Sequence, residues 1–277
     1  MKGVVLAGGL GRRLGPLTAI TNKHLLPVWD RPMIFYPLRS LIEAGIDEVL
    51  IVTGGQNPGD FMRLLGDGRR FGFRKLHFTY QEGQGGIADA LRLAADFAGG
   101  QRLCVILGDN ILERSLRPQV LAFSKQQSGA RVLLKRVAQP ERFGVPRFHG
   151  SKLVEIVEKP KRAPSPYAVI GVYFYDHRVF DIIESLEPSA RGELEITDVT
   201  NAYLRAGELT HAKIAGWWSD AGTFESLHHA AALAARTWHR EKSKGTFWQP
   251  FDDWVRELAG TSSGRLRQSG PSRRAGK

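Results

Sequence analysis

A glycine-rich segment followed by two arginines stands near the start of the chain. Residues 8–11 read Gly-Gly-Leu-Gly, they come directly after the apolar residues 4–7, and Arg12 and Arg13 follow them. Glycine lets backbone N–H groups approach an anion closely, and a guanidinium offers a fork of donors to phosphate oxygens. A P-loop would need Gly-Lys-Ser/Thr here, and a dinucleotide fingerprint would need glycine where Leu14 stands. The segment therefore favours phosphate binding of another type, with a plain turn carrying surface arginines as the alternative.

A single lysine follows this segment at the edge of an apolar stretch. Lys23 precedes the apolar residues 25–28. An ammonium group stabilises charge on a transferring phosphoryl group, and a partly buried stem would aim it. Taken by itself, the residue is read more simply as an ordinary solvated lysine.

An acidic residue ends another apolar run. Asp109 comes just after residues 103–107, where a carboxylate is costly unless it is paired or bound to a metal ion. We therefore expect Asp109 to be a metal ligand. The alternative is a helix cap or a turn former, which a lone aspartate at the end of a strand more often is.

A glutamine marks a fourth polar position at the end of an apolar run. Gln81 is followed by residues 82–86, which read Glu-Gly-Gln-Gly-Gly and open a helical pattern. A side-chain amide beside exposed backbone can read the edge of a nucleotide base. The alternative is a polar hairpin without a ligand.

Strand-like and helix-like patterns alternate around these residues and must position them. Strands are predicted at 4–7, 49–53, 76–81, 103–107, 131–137 and 169–175, and helices at 33–44, 61–65, 87–97 and 116–126. Alternation of this kind predicts an α/β fold with a mainly parallel sheet, whose ligands bind at the carboxyl ends of the strands. Strand pairs near 145–157 and 169–175 indicate an antiparallel addition.

Two motifs in sequence order carry a resemblance to a known family. The segments LAGGLGRRLGPLT (residues 6–18) and NKHLLPVWDRPMIFYPL (residues 22–38) resemble those of the sugar nucleotidyltransferases, especially the glucose-1-phosphate thymidylyltransferases. The resemblance covers roughly residues 1–235. It implies the three-layer, Rossmann-like, mixed and mainly parallel sheet of the nucleotide-diphospho-sugar transferases. It also implies transfer of a nucleoside monophosphate from a triphosphate, dTTP favoured over UTP, to a sugar 1-phosphate such as glucose 1-phosphate, with Mg²⁺ as cofactor and a dimer or tetramer as the assembly.

The resemblance also implies roles for individual residues. Arg13 and Lys23 would be catalytic, and Asp109 and Asp220 would hold the metal. The implied nucleotide-binding residues are Leu6, Gly8, Gly9, Gly11, Arg13, Gln81, Gly86 and Asp109. The implied sugar-phosphate residues are Gly144, Glu158, Lys159, Gly171, Glu193 and Trp218, with Glu195 and Arg191 as alternatives for a carboxylate and a cation.

The chain departs from the family pattern at several site positions. Arg12 stands where the family has Ser or Thr, and residues 82–85 replace the proline-containing part of Q-P-S-P-D-G-L-A. Phe143 replaces a tyrosine and Ala221 a threonine. The altered loop leaves the choice between thymidine and uridine open, and the missing tyrosine hydroxyl leaves the sugar open.

Charge and composition divide the chain into unequal parts. The formal net charge is +11, but residues 261–277 contain five basic and no acidic residues. A segment so rich in Ser, Gly and Arg cannot bury enough surface to fold, so we predict a disordered basic tail. The catalytic domain is predicted at 1–240 and a helical extension at 241–260. Because the globular part is only mildly basic, nucleic acid is not the expected partner.

The remaining composition bears on location and on two competing functions. Cys104 is the only cysteine, and the apolar run at the N-terminus is too short for a signal peptide or a membrane span, so we expect a cytoplasmic protein without a membrane partner. A dinucleotide-binding oxidoreductase is the first alternative, because Asp30 lies about twenty residues after the glycines. This alternative is disfavoured by Leu14, which stands where the fingerprint needs glycine, and by Pro27 and Pro32, which flank Asp30. The second alternative is a nucleic-acid-binding protein that uses its basic surface.

Overall fold

A nine-stranded sheet forms the centre of the computed structural model, which describes residues 1–242 and 251–253. In chain order the strands are β1 (Lys2–Ala7), β2 (Pro27–Val28), β3 (Arg31–Pro32), β4 (Glu48–Gly54), β5 (Lys75–Gln81), β6 (Leu103–Leu107), β7 (Ile111–Leu112), β8 (Ala130–Arg136), β9 (Gly144–His149), β10 (Lys152–Glu158), β11 (Tyr167–Tyr175), β12 (Leu209–Lys213) and β13 (Trp218–Ser219). The α-helices are α1 (Phe35–Glu43), α2 (Gly59–Leu65), α3 (Ile87–Arg92), α4 (Ala95–Ala98), α5 (Arg117–Lys125), α6 (Val179–Glu184), α7 (Ile196–Arg205) and α8 (Phe224–Lys242). Short 3-10 helices cover Arg12–Leu14, Leu17–Ala19, Lys23–Leu25, Arg69–Phe71 and Pro140–Arg142.

The predicted parallel part of the sheet is confirmed. Strands β6, β1, β4 and β5 lie side by side and run parallel, with Leu6 opposite Val52 on one side and Leu107 on the other. Helices cover both faces, so these strands are buried on both sides and read as nearly continuous apolar runs. Their carboxyl ends therefore meet at one edge of the sheet.

The predicted antiparallel addition is confirmed as well. Strand β11 is antiparallel to β6, β8 and β9, and β10 forms an antiparallel pair with β9. Strand β12 returns to pair with β8 in parallel. Two small antiparallel pairs, β2–β3 and β7–β13, lie apart from the main sheet. The second of these joins the segment after β6 to the distant residues Trp218 and Ser219.

Two apolar clusters, one on each face of the sheet, make the fold three-layered. Because side chains alternate along a strand, Val5 and Ala7 enter one cluster while Val4 and Leu6 enter the other. The first cluster includes residues of α1 and α8, and the second includes residues of α3, α6 and α7. Burying each large aliphatic side chain contributes roughly 1.5–3 kcal/mol.

The predicted helix over 87–97 is wrong in one respect. The structure has two helices, α3 and α4, separated at Leu93 and Ala94. Leu91, Ala94 and Ala98 are all buried, so the apolar spacing continues through the break and hides it. Helices α6, α7 and α8 were not predicted, although the buried Ile196, Val199 and Tyr203 of α7 have helical spacing.

The predicted helical extension at 241–260 lies largely outside the described residues, and the predicted basic tail at 261–277 lies wholly outside them. Within the extension, residues 251–253 are helical. The buried Phe251 packs on Phe35 and Phe71, with ring centroids 5.0 and 4.9 Å apart. In the part of the chain that is described, no helix has both the length and the apolar surface needed to cross a bilayer.

Candidate active site

A cavity of about 430 Å³ opens at the carboxyl ends of the parallel strands. It gathers residues from the glycine-rich segment, from the segments of Lys23, Gln81 and Asp109, and from the antiparallel addition. The predicted site residues that line it are Leu6, Gly8, Gly9, Arg13, Lys23, Gln81, Gly86, Asp109, Gly144, Glu158, Lys159, Gly171, Glu193, Trp218 and Asp220. Leu6 and Asp220, which are 214 positions apart in the chain, thus line the same cavity.

Gly11 is the one predicted site residue that does not line the cavity. Its backbone has a φ of +64°, which suits glycine, and a Cβ there would lie 2.8 Å from Cβ of Lys23 and Cγ2 of Thr18. The Gly11 carbonyl accepts a hydrogen bond from the Thr18 hydroxyl at 3.1 Å. Gly11 therefore supports the wall behind Lys23, which explains why it is not itself at the surface of the cavity.

The buried Asn22 ties Lys23 to the sheet edge. Its Oδ1 accepts from the backbone N–H of His24 at 3.0 Å and so caps the short helix Lys23–Leu25. Its Nδ2 donates to the carbonyl oxygen of Gly54 at 3.3 Å. Since Gly54 ends β4, the lysine is held at the carboxyl end of the parallel strands.

Lys23 and Asp109 form a close ion pair inside the cavity. Nζ of Lys23 lies 2.6 Å from Oδ2 of Asp109, and the two side chains are 14 % and 13 % exposed. Burial raises the pKa of Asp109, but the Lys23 charge and the hydrogen bonds to the carboxylate outweigh it, so this pKa lies below its ordinary value. Asp109 is therefore a carboxylate at neutral pH.

Arg13 and Asp109 lie close to Gly222, which follows Asp220 by two positions in the chain. A Cβ on Gly222 would lie 3.7 Å from Oδ2 of Asp109 and 3.2 Å from Nη2 of Arg13. Burial, and then the negative charge of Asp109, raises the pKa of Asp220. Arg142 is 3.8 Å from Asp220 and relieves that repulsion only in part. A cation between the two acids would relieve it more fully.

The donor set fits a metal ion that shares its shell with the substrate. Both acids supply hard oxygen ligands, which suit Mg²⁺. Within residues 1–242 and 251–253 no group of three or more His, Cys, Asp or Glu side chains could hold a metal. Two carboxylates leave positions for water and phosphate oxygens, as Mg²⁺ prefers.

Asn110 joins Asp109 to Gly171 of β11 and Trp218 of β13, and the sequence did not single it out. This amide is 1 % exposed, and its Nδ2 donates to Oδ1 of Asp109 at 3.0 Å. Its Oδ1 accepts from the Gly171 N–H at 2.9 Å and from Nε1 of Trp218 at 2.7 Å. The signal in the sequence was an amide directly after Asp109, but only the fold shows its partners.

Glu158 and Lys159 stand on the far side of the cavity. Oε2 of Glu158 accepts from the Thr197 hydroxyl at 2.5 Å, and Oε1 lies 3.4 Å from both Lys159 Nζ and Arg191 Nη2. Lys159 has a φ of +41°, an uncommon backbone conformation for this residue type. Gly144 lies beside this group, where a Cβ would be 3.2 Å from the Thr197 oxygen.

The alternatives Glu195 and Arg191 bind each other. Nη2 of Arg191 lies 2.7 Å from both carboxylate oxygens of Glu195, whereas Glu193 is 3.6 Å away. Glu195 is buried and also accepts from Ser189 at 2.8 Å. Glu193 is therefore the carboxylate of this segment with more room to meet a ligand.

His24 and Arg142 also line the cavity, although neither was predicted to be a site residue. Burial, and then the charge of Lys23, lowers the pKa of His24 to about 3, so the ring is neutral at physiological pH. Arg142 precedes Phe143, whose ring meets Trp218 edge-on with centroids 5.3 Å apart. The sequence indicated that residues 142–144, Arg-Phe-Gly, belong to the site. It could not show that Arg142 lies close to Asp220, because that contact depends on the fold.

Known proteins are similar to this chain in sequence. Residues 2–237 match the family described as nucleotidyl transferase. The glucose-1-phosphate thymidylyltransferase of Neisseria meningitidis serogroup A is 45 % identical over 238 residues, which cover 84 % of this chain and 82 % of that one. The enzyme of the same name from Mycolicibacterium smegmatis is 44 % identical over 234 residues, covering 83 % and 81 %.

Two solved structures are similar to this chain in both sequence and fold. A candidate glucose-1-phosphate thymidylyltransferase from Bacillus anthracis, crystallised with sucrose, is 51 % identical and superposes with a TM-score of 0.81, covering 84 % of this chain and 95 % of that one. UDP-glucose pyrophosphorylase with UDP-glucose gives a TM-score of 0.75 at 26 % identity, covering 85 % and 98 %. The predicted fold class is confirmed, and the oxidoreductase and nucleic-acid alternatives find no support. The chain belongs to the nucleotidyl transferase family.

Proposed function

We propose that this enzyme transfers the thymidylyl group of dTTP to glucose 1-phosphate, giving dTDP-glucose and pyrophosphate. The names of the relatives support both substrates. The observation that carries the proposal is the Asn110 amide, which bonds both to Asp109, a predicted nucleotide-binding residue, and to Gly171 and Trp218, predicted sugar-phosphate residues. A rigid connection of this kind suits an enzyme that must align two substrates.

The reaction needs positioning and charge neutralisation rather than a protein nucleophile. An oxygen of the sugar phosphate attacks the α-phosphorus of the triphosphate, and the bond from that phosphorus to the pyrophosphate oxygen breaks. Both reactants are anions. Cations held in the cavity therefore supply most of the catalytic effect.

Three cations that line the cavity, Arg13, Lys23 and Lys159, would share the four phosphate groups of the two substrates. Arg13 and the amides of Gly8 and Gly9 would bind the leaving phosphates, and Lys23 would neutralise charge on the α-phosphate. Lys159 would bind the phosphate of the sugar. The Lys23 side chain is only 14 % exposed and is held by Asp109, so little reorganisation is needed when the substrate arrives.

Asp109 and Asp220 would hold Mg²⁺. When bound, Mg²⁺ supplies positive charge to the phosphate oxygens, which lowers the cost of the charge that develops on the pyrophosphate. Its affinity without nucleotide should be weak, because the two carboxylates fill only part of its coordination shell.

The far side of the cavity suits a hexose. Glu158 and Glu193 would accept hydrogen bonds from sugar hydroxyls. The glycines at 144 and 171 let the wall pack closely, because a Cβ there would lie 3.2 Å from the Thr197 oxygen and 2.6 Å from Nδ2 of Asn110 respectively. Phe143 offers an apolar face next to Trp218 but no hydroxyl.

The wider properties are proposed from the same resemblance. We place the catalytic domain at residues 1–240 and the enzyme in the cytoplasm, as a homo-oligomer of two or four chains. Light scattering on the purified protein tests the assembly.

A pyrophosphate-release screen tests the proposed substrates. It crosses dTTP, UTP, dCTP, ATP and GTP with the 1-phosphates of glucose, galactose and mannose. We expect dTTP with glucose 1-phosphate to give the highest kcat/KM, and UTP to follow within about two orders of magnitude, because one methyl group offers only about 1–3 kcal/mol. A clear preference for ATP or GTP would refute the assignment of the Gln81 loop to the base.

A further inference from the structure

The side-chain amide of Gln81 has one defined orientation in the cavity wall. Its Nε2 lies 2.8 Å from Oδ2 of Asp89 and 3.2 Å from the carbonyl oxygen of Gly86. A carboxylate and a backbone carbonyl only accept hydrogen bonds, so the NH₂ group must face them. Gln81 is 6 % exposed, and a flipped amide would set its oxygen against two acceptors. Both hydrogens of the amide are therefore used inside the protein.

The carbonyl oxygen of Gln81 lies on the side of Gly8. A Cβ on Gly8 would be only 2.9 Å from this Oε1 atom, so the glycine leaves the oxygen uncovered by a side chain. Gln81 and Gly8 both line the cavity. The amide consequently presents an acceptor, and no donor, to a ligand that enters beside Gly8.

Asp89 is itself held in place from two sides. It lies in the first turn of α3, and its Oδ1 accepts from Nη2 of Arg92 at 2.8 Å. A Cβ on Gly85 would lie 2.5 Å from Oδ2 of Asp89, so any side chain at position 85 would displace the carboxylate. Gly85 and Asp89 thus form a matched pair, and neither was among the predicted site residues.

The protonation pattern of pyrimidine bases makes this orientation selective. Thymine and uracil carry a hydrogen on N3, whereas N3 of cytosine carries none and is an acceptor. A hydrogen-bond acceptor fixed in the cavity wall can accept from the N3–H of thymine or uracil. Against cytosine the same acceptor meets N3, which is also an acceptor, so no hydrogen bond forms. A site built around one hydrogen bond discriminates strongly against a ligand that cannot make it.

We propose that Asp89 is a positioning residue that, by fixing the Gln81 amide, makes this site select nucleotides whose pyrimidine has a hydrogen on N3. The proposal rests on the proposed function and specifies how the base is chosen within it. Asp89 acts through Gln81 and does not touch the nucleotide.

The variant Asp89→Asn tests this directly. An asparagine amide can turn either its oxygen or its nitrogen toward Gln81, so only the Gly86 carbonyl still disfavours a flipped Gln81 amide. We expect the ratio of kcat/KM for dTTP to that for dCTP to fall about tenfold or more, mainly through KM, with kcat for dTTP little changed. Asp96→Asn is the matched control, because Asp96 also begins a short helix but is exposed. It should keep the wild-type ratio.

A second variant reaches the same amide without changing Asp89. Gly85→Ala pushes the carboxylate away from Gln81, because the added Cβ would lie 2.5 Å from it. We expect the same loss of discrimination. If Asp89→Asn fails to fold, as judged by its melting temperature, Gly85→Ala and the wild-type affinities decide the matter.

Calorimetric binding of dTTP and dCTP without glucose 1-phosphate separates this inference from the proposed function. The inference requires the wild type to bind dTTP at least about tenfold more tightly than dCTP, and folded variants to lose that preference. Equal affinities in the wild type, or an unchanged ratio in a folded variant, would overturn it. Selective binding without transfer to glucose 1-phosphate would refute the proposed function and leave the inference standing.

Discussion

Nζ of Lys23 and Oδ2 of Asp109 lie 2.6 Å apart, although 86 positions separate the two residues in the chain. Lys23 sits in a short helix that Asn22 fastens to the end of β4, and Asp109 follows β6. The pair therefore joins the glycine-rich segment to the residues that would hold the metal. The contact thus pairs a cation and an anion that line the same cavity.

Replacing Lys23 with methionine should slow the reaction far more than it harms the fold. The variant keeps the apolar stem and loses the charge at the α-phosphate, so we expect kcat to fall roughly 10²–10³-fold. The melting temperature should fall by several degrees, because the largely buried Asp109 loses its counter-charge, but the variant should still fold. Lys125→Met, at an exposed position in α5, is the control and should keep normal kinetics. Wild-type turnover in Lys23→Met would remove this lysine from the mechanism.

Changing Asp109 or Asp220 to asparagine should weaken the use of Mg²⁺. Each change keeps the shape of the side chain but removes a charged ligand, so activity should fall sharply and a higher Mg²⁺ concentration should restore part of it. Initial rates over a Mg²⁺ titration measure this. Asp47→Asn, whose side chain is 57 % exposed, is the matched control. Full wild-type activity in excess chelator would exclude the proposed metal.

Asp176 should contribute pH-dependent stability. It is buried and accepts from the Gly129 N–H at 2.6 Å, the Tyr203 hydroxyl at 2.7 Å and the Arg178 guanidinium at 2.6 Å. Burial raises the pKa of Asp176, but these bonds, those of Arg178 first, outweigh burial, so the folded pKa is lowered. We expect Asp176→Asn to lower the free energy of unfolding by about 2–4 kcal/mol at pH 7.

The sign of the pH effect follows from the lowered pKa. The stabilisation is fully present above the pKa of the unfolded state, about 3.9, and is lost as the pH falls through the lower folded value. Urea unfolding at several pH values should show the gap between wild type and Asp176→Asn closing below about pH 4. Asp181→Asn, at an exposed position in α6, should show no such gap. A gap that is constant from pH 7 to pH 2 would contradict this account.

The sequence was most informative where short motifs end buried strands. Apolar runs predicted β1, β4, β5 and β6, and because the carboxyl ends of parallel strands meet, the residues that follow them had to lie close together. That reasoning predicted the neighbourhood of Gln81 and Asp109. It could not predict which partner each would bind.

The features that escaped prediction depend on contacts between distant parts of the chain. Asn110 bonds to Gly171 and Trp218, and nothing in the local sequence specifies those partners. Gly11 fits the glycine pattern, but it packs behind Lys23 and not on the cavity surface. The break between α3 and α4 escaped because buried residues keep a helical spacing across it.

Isotope transfer tests the central claim most directly. The enzyme is incubated with glucose 1-phosphate, Mg²⁺ and dTTP labelled with ³²P on either the α- or the γ-phosphate, and the products are separated by chromatography. Attack on the α-phosphorus predicts that the α label appears in dTDP-glucose and the γ label in pyrophosphate, only when both substrates are present. Label from the γ-phosphate in the sugar product, or no sugar nucleotide at all, would contradict the account.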